Sequence, residues 1–279
     1  MSIYRQEERE INDGQFRAKT DNVKNILQIL KTMNFRDQAN VVLSPSGIKV
    51  TVENVKCAQA NAFIETDLFQ EYEIEEEMVI FKLNLTSWIE CLNIFGGGSA
   101  GAASPSLKMV YRGHGYPLVL ELEEDGVVTD CEIKTEEPED TLDFDFFSTG
   151  VMNKIIMRSE CLKEVFTDLD VTSEMMEILM SPDAPYFRVS TFGNYGTSQT
   201  EISMESELVE HFECKQTLKQ RYRMSLIKPS IKPLTAALKV SVRMDARGFL
   251  CLQFMIRTES HHICFIEYFC CPEEEDGDD

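Results

Sequence analysis

Apolar and polar residues follow two rhythms along this chain, and the points where one gives way to the other mark its elements. A helical rhythm runs from about Asp21, a residue suited to capping, to Met33, with Val23, Ile26, Leu27 and Leu30 on one face and Lys24, Gln28 and Lys31 together on another. Short apolar runs follow, separated by turn chemistry: Ser44-Pro45-Ser46-Gly47, then Ile48 to Val52, Asn61 to Ile64 and Met78 to Leu83, which read as strands of a meander. A second helix is predicted over about Leu85 to Phe95, carrying Trp88, Ile89, Leu92 and Phe95 and stopping at Gly96-Gly97-Gly98. The stretch from Gly96 to Ser106 is small and polar, as a surface loop is.

An internal repeat organises the rest. Leu107-Lys108-Met109-Val110-Tyr111-Arg112, a turn with glycine, and Tyr116-Pro117-Leu118 are echoed by Leu238-Lys239-Val240-Ser241-Val242-Arg243, a turn ending at Gly248, and Phe249-Leu250. Each copy reads as a β-hairpin that leads into a further strand, Val127 to Ile133 in one half and Ile263 to Phe269 in the other. A repeat at half the chain length implies two similar domains rather than a solenoid. Between the halves, Lys134 to Thr141 is acidic and broken by Pro138, the composition of an exposed connector. The second half then opens with a predicted strand, Leu142 to Phe147, and a predicted helix, about Gly150 to Phe166. On that helix Val151, Ile155 and Leu162 line one side, and Lys154 and Arg158 lie next to each other.

Composition narrows the class. With 279 residues, 43% hydrophobic, the chain can bury roughly three quarters of its unfolded surface. No apolar run approaches the roughly 20 residues of a bilayer span, and Met1 to Glu10 is charged rather than leader-like, so a soluble, unsecreted protein is expected. Nine cysteines without a CxxC pair read as reduced thiols of an intracellular protein. The formal charge of −21 would ordinarily exclude nucleic acid, because phosphate contacts need Lys and Arg, but the charges are segregated. Acids crowd Glu273 to Asp279 and Glu132 to Asp145, whereas Lys215 to Leu234 holds Lys215, Lys219, Arg221, Arg223, Lys228 and Lys232 and no acid.

Candidate chemistry is thin. Asp143 and Asp145, two apart on a predicted strand, share a face and could hold a divalent metal for a DNA exonuclease. That chemistry needs further carboxylates, and no spacing nominates Asp125, Asp130 or Asp183, so a solvated strand face is preferred and no catalytic residue is assigned. His261, His262 and Cys264 lack the second ligand pair of a structural zinc site, so an exposed turn is preferred and no metal is assigned. Gly96-Gly97-Gly98 lacks the Gly-Lys-Ser/Thr ending of a phosphate loop. A solvated face is the lesser alternative for the bases from Lys215 to Lys232.

The order helix, strands, helix, strands, acidic connector, and the same again, resembles the proliferating cell nuclear antigen type of sliding clamp. Gly47 to Asn54, Gln59 to Ile64, Asp140 to Phe146, Tyr186 to Gly193 and Glu267 to Pro272 are similar to its checkpoint relatives, the Rad-one family of the nine-one-one clamp. The resemblance implies an α+β clamp fold: two similar domains, each with helices on the inner face of antiparallel sheets, and a pseudo-hexagonal ring in a heterotrimer. The implied division is residues 1–132 for the N-terminal domain, 133–142 for the connector, 143–271 for the C-terminal domain and 272–279 for an acidic tail.

The same resemblance implies a non-enzymatic nuclear subunit, loaded by a clamp-loader ATPase at damaged DNA, that serves as a platform for checkpoint kinase activation and repair factors. Its sister chains would be of the Rad-nine and Hus-one types, its DNA double-stranded and read without sequence specificity, with no cofactor and no membrane. Lys24, Lys31, Lys154, Arg158, Lys228 and Lys232 would face the DNA. Cys57, Ala58, Leu142, Phe144, Phe269 and Cys270 would contribute to a partner-peptide groove. The second predicted helix departs from the pattern, with no Lys or Arg between Leu85 and Phe95 and with Glu90.

Overall fold

The computed structural model describes residues 14–95, 104–146, 150–170, 172–194 and 196–274. The first half runs β1 (Phe16–Thr20), α1 (Val23–Met33), β2 (Gln38–Ser44), β3 (Gly47–Asn54), β4 (Ala58–Glu65), β5 (Glu71–Ile74), β6 (Val79–Asn84), α2 (Leu85–Leu92), β7 (Ser106–Tyr111), β8 (Leu118–Glu124) and β9 (Val127–Ile133). After the short β10 (Thr135–Glu136), the order repeats. The second half comprises β11 (Val151–Arg158), α3 (Ser159–Thr167), β12 (Met175–Met180), β13 (Phe187–Gly193), β14 (Gly196–Ile202), β15 (Val209–Cys214), β16 (Leu218–Arg223), the short helices α4 (Met224–Ile227) and α5 (Ile231–Ala236), β17 (Ala237–Asp245), β18 (Leu250–Arg257) and β19 (Ile263–Cys270).

Strand pairing repeats as well. The order β5-β1-β7-β8-β9 of the first half is matched by β15-β11-β17-β18-β19, and β6-β2-β3-β4 by β16-β12-β13-β14. The β7–β8 and β17–β18 hairpins foreseen from the repeat are antiparallel, with Met109 opposite Leu120 and Val242 opposite Leu252. The result is an α+β fold of antiparallel sheets with few helices, as the clamp resemblance implied. Contacts divide the chain into two compact units. One comprises the chain up to Val52, Asn61–Thr141 and Thr258–Cys264, and the other Glu53–Ala60, Leu142–Arg257 and the chain from Phe265.

In the first unit α1 packs beside α2, burying Ile26, Ile29, Leu30, Trp88 and Leu92. In the second, α3 packs on α5, β11 and β17, over Ile155, Met157, Val240 and Val242. The helix α1 is capped by Asn22 rather than Asp21: Lys24 N–H donates to Asn22 Oδ1 at 3.1 Å, while Asp21 is exposed. The helix α2 ends at Leu92, so Phe95 lies beyond it, and the predicted glycine stop at 96–98 falls outside the described residues.

Two expectations for the start of the second half are corrected. Residues 151–158 form strand β11, not helix. Val151 and Ile155, four apart, satisfy a period of 2 as well as 3.6, and pairing to β15 and β17 decides for the strand. Leu142 to Phe146 is not a strand either. Its polar backbone groups bond to side chains instead, and Asp145 sits at φ 46°.

The β3–β4 turn is strained. Cys57 N–H closes it onto Asn54 O at 3.0 Å, with Val55 at φ 46° and Lys56 at φ 54°. A left-handed conformation costs an L-residue about 1–2 kcal/mol, and a β-branched one is worst placed. Replacing Val55-Lys56 by Asn-Gly is expected to raise stability by roughly 1–2 kcal/mol, read as a higher urea midpoint with an unchanged slope.

Candidate nucleic-acid interface and connector pocket

Helix periodicity decides which bases reach solvent. On α1 the buried stripe leaves Lys24, Gln28 and Lys31 as the outward row, with Lys31 Nζ donating to Asn93 Oδ1 at 3.1 Å. The outward face of α2 carries Glu90 and no base. In the second unit Lys228, in the 3-10 turn between α4 and α5, and Lys232, on α5, are both exposed and stand one helical turn apart. Helix α3 exposes Glu160, Lys163, Glu164 and Thr167. Lys163 is its solvent-facing base, and the sequence reading missed it by starting the helix a full strand too early.

Lys154 and Arg158 do not belong with these bases. Both lie on β11, where Ile155 and Met157 point into the core under α3 and the alternate positions point away from it. They share that opposite face with Lys239 and Arg243 of β17, which stand across from Arg158 and Lys154. The bases of the Lys215–Leu234 run divide in the same way, since Lys219, Arg221 and Arg223 fall on strand β16 and only Lys228 and Lys232 on the helical part.

The acidic connector is tied down. β10 pairs with β6, placing Glu136 opposite Lys82, and Lys82 Nζ lies 3.2 Å from Glu136 and 2.7 Å from Glu139. These acids, Glu139 foremost, raise the Lys82 pKa. Asn40 Nδ2 donates to Glu139 O at 2.6 Å.

Beyond it, in the second unit, the chain fills a pocket of its own. Leu142 N–H donates to Glu53 Oε1 at 2.5 Å, and Gln59 Nε2 donates to Leu142 O at 3.2 Å. Phe144 stacks on Phe269 at 5.5 Å and meets Phe249 edge-on at 5.8 Å, while Phe146 stands edge-on to Phe269 at 5.8 Å. Arg247 Nη2 donates to Phe144 O at 2.8 Å, and its guanidinium lies 4.6 Å from the Phe249 ring centre.

Of the six groove residues, Leu142, Phe144 and Phe269 thus come together in one aromatic cluster. Phe144, Phe269, Ala58 and Cys270 are buried, and Cys57 and Leu142 keep partial exposure. Cys271 N–H donates to Cys57 O at 2.8 Å. Burial pushes the Cys271 thiol up to about 11.

The remaining candidates do not assemble a reactive centre. Asp143 and Asp145 are exposed, with Asp145 N–H donating to Asp143 Oδ1 at 2.9 Å in a local turn. Cys264 is buried, and His262 faces Asp67 at 3.4 Å. Among the described residues no three His, Cys, Asp or Glu side chains converge as metal ligands. No helix of the described chain is long and apolar enough to cross a membrane.

Comparison with known proteins supplies the relationship. Residues 15–256 match the family described as Repair protein Rad1/Rec1/Rad17. The chain is 56% identical over 258 residues to human cell cycle checkpoint protein RAD1, covering 92% of each. It is 55% identical over 258 residues to the mouse protein of that name, again covering 92% of each. A more distant relative, the DNA repair exonuclease REC1 of Mycosarcoma maydis, is 24% identical over 309 residues, 71% of this chain and 67% of that one. With its repeated antiparallel α+β fold, this chain belongs to the Rad1 family of DNA repair and cell cycle checkpoint proteins.

Proposed function

We propose that this chain is a non-enzymatic subunit of a three-chain clamp that encircles double-stranded DNA, with sister subunits of the Rad-nine and Hus-one types. A clamp-loader ATPase would place the ring at damaged DNA in the nucleus, where it would serve as a platform for checkpoint kinase activation and repair factors. The observation that carries this reading is the strand order, which leaves β9 and β14 at the ends of their sheets. Both have the same alternation of exposed and half-buried residues, closed by a buried isoleucine, Ile133 and Ile202. A monomer would ordinarily blunt such ends, whereas a ring pairs them with its neighbours.

Charge favours unlike neighbours. β9 exposes Asp130 and Glu132, and β14 exposes Glu201, so joining β9 of one copy to β14 of another would set acid against acid. Lys24, Lys31, Lys228 and Lys232, with Lys163 added, are the helix-borne bases that would meet phosphate, and encirclement rather than base readout would provide retention. Partner peptides would approach the connector pocket at its accessible rim, Cys57 and Leu142.

Coexpression with the two sister chains, followed by light scattering after size exclusion, is expected to give an equimolar three-chain complex. Exposed Val127 and Val128 both changed to Lys should weaken that assembly at least tenfold, because edge lysines oppose strand pairing. A chain that ignores both sisters would overturn the clamp reading. The name of the fungal relative favours an exonuclease as the second reading. Metal-dependent nuclease activity abolished by Asp143→Asn with Asp145→Asn would bring it forward.

A further inference from the structure

We propose that strand β16 is a second DNA-backbone contact, closed in this chain by Glu273. β16 ends the β14-β13-β12-β16 sheet. Lys219, Arg221 and Arg223 alternate along it and so project from one face, about 6.6 Å apart. Their side chains are 53%, 57% and 62% exposed, and Glu177, the carboxylate that Lys219 and Arg221 stand over, is 3% exposed. Glu177 Oε2 lies 3.2 Å from Lys219 Nζ and 3.2 Å from Arg221 Nε. One buried carboxylate against two of these bases, with Arg223 beyond its reach, leaves positive charge at the surface.

Glu273 takes up that excess. Its N–H donates to Arg221 O at 2.7 Å, extending the open strand edge. Arg223 Nε and Nη2 each donate to its carboxylate at 2.7 Å, a two-point contact of the kind a phosphate would make. The ion pair holds the Glu273 carboxyl below its usual range.

The same device stands in the first half. The chain leaving β9 turns back as β10 and sets Glu136 on Lys82 of β6, the strand that corresponds to β16. There the base is 15% exposed and locked by two acids, whereas Arg223 is 62% exposed and met by one. The first closure is structural and the second can open. DNA fits this face better than a protein surface does. Among the described residues of β12, β13 and β16, Phe192 is the exposed large apolar side chain, and Arg221 covers its ring at 5.2 Å. That is too little apolar area for the core of a protein interface.

The test uses the full chain, alone and within the three-chain complex, with a duplex of about 30 base pairs, followed by fluorescence anisotropy from roughly 50 to 300 mM salt. Glu273→Gln is expected to tighten binding about three- to tenfold at the lowest salt and to steepen the salt slope by about one, the increment of one recovered phosphate contact. Glu274→Gln, which removes the same charge one residue along, should change nothing. In an Arg223→Gln background, Glu273→Gln should lose its effect. Equal gains from the two single variants, or a gain that survives Arg223→Gln, would assign the effect to bulk charge and overturn the proposal. Neither substitution touches β9 or β14, so three-chain assembly is scored separately, and its failure would leave this result standing.

Discussion

Reversing Lys24, Lys31, Lys228 and Lys232 to Glu is expected to lower retention on DNA by roughly three orders of magnitude at 0.1 M salt, with the fold intact. Each phosphate contact to duplex DNA contributes about 0.9 to the slope of log affinity on log salt, so four lost contacts remove roughly 3.6 from it. All four side chains lie on the solvent-facing side of their helical segments, outside the buried stripes, so unfolding midpoints should stay close to the parent. Lys154→Glu with Arg158→Glu is the informative control. These bases stand on the face of β11 turned away from α3, so their reversal should leave retention nearly unchanged. A loss equal to that of the helix variants would mean that DNA follows the sheet rather than the helices. Measurement on closed circular and linear DNA separates the two contributions, because encirclement retains only the circle.

Asp245→Ala is expected to cost about 3 kcal/mol of stability, read from urea unfolding. Asp245 is fully buried at the end of β17 and organises the turn into β18. Its Oδ1 accepts the N–H groups of Arg247 at 3.0 Å and Phe249 at 2.9 Å, and its Oδ2 lies 2.7 Å from Arg247 Nη2. Removing the carboxylate strands two backbone donors and frees Arg247, the group that holds Phe144 O. The partial exposure of Arg247 keeps the loss below that of a wholly buried pair. Asp245→Asn, which keeps one acceptor, should cost about half as much. The sharper readout is the pocket: the ring signals of Phe144 and Phe146 should broaden in Asp245→Ala before global unfolding. Unperturbed rings would show that the aromatic stack holds the segment by itself.

Much of this architecture was legible in one dimension because it rests on periodicity. The face of α1, the β7–β8 and β17–β18 hairpins and their repetition follow from alternation and turn residues, which act locally. Segregation of charge was legible too, since Glu132 to Asp145 and Lys215 to Leu234 are contiguous stretches. Local pattern failed wherever two structures share a spacing. Val151 and Ile155 fit helix and strand alike, and only pairing with Val242 and Phe212, far along the chain, selected the strand and carried Lys154 and Arg158 off the helix.

The groove residues show the same division. Leu142, Phe144 and Phe269 were recognisable as apolar, but that Phe144 fills the pocket it was expected to line depends on distant segments, with Arg247 donating to the Phe144 carbonyl and Glu53 and Gln59 holding the backbone of Leu142. The contact of Glu273 with Arg223, 50 positions apart, has no local signature at all. The sequence by itself determined which faces are apolar, where the chain repeats and how charge is apportioned, because near neighbours set those properties. Tertiary structure alone decided which bases share a face, which edges stay open and which acids close them, because long-range strand pairing sets the direction of every second side chain.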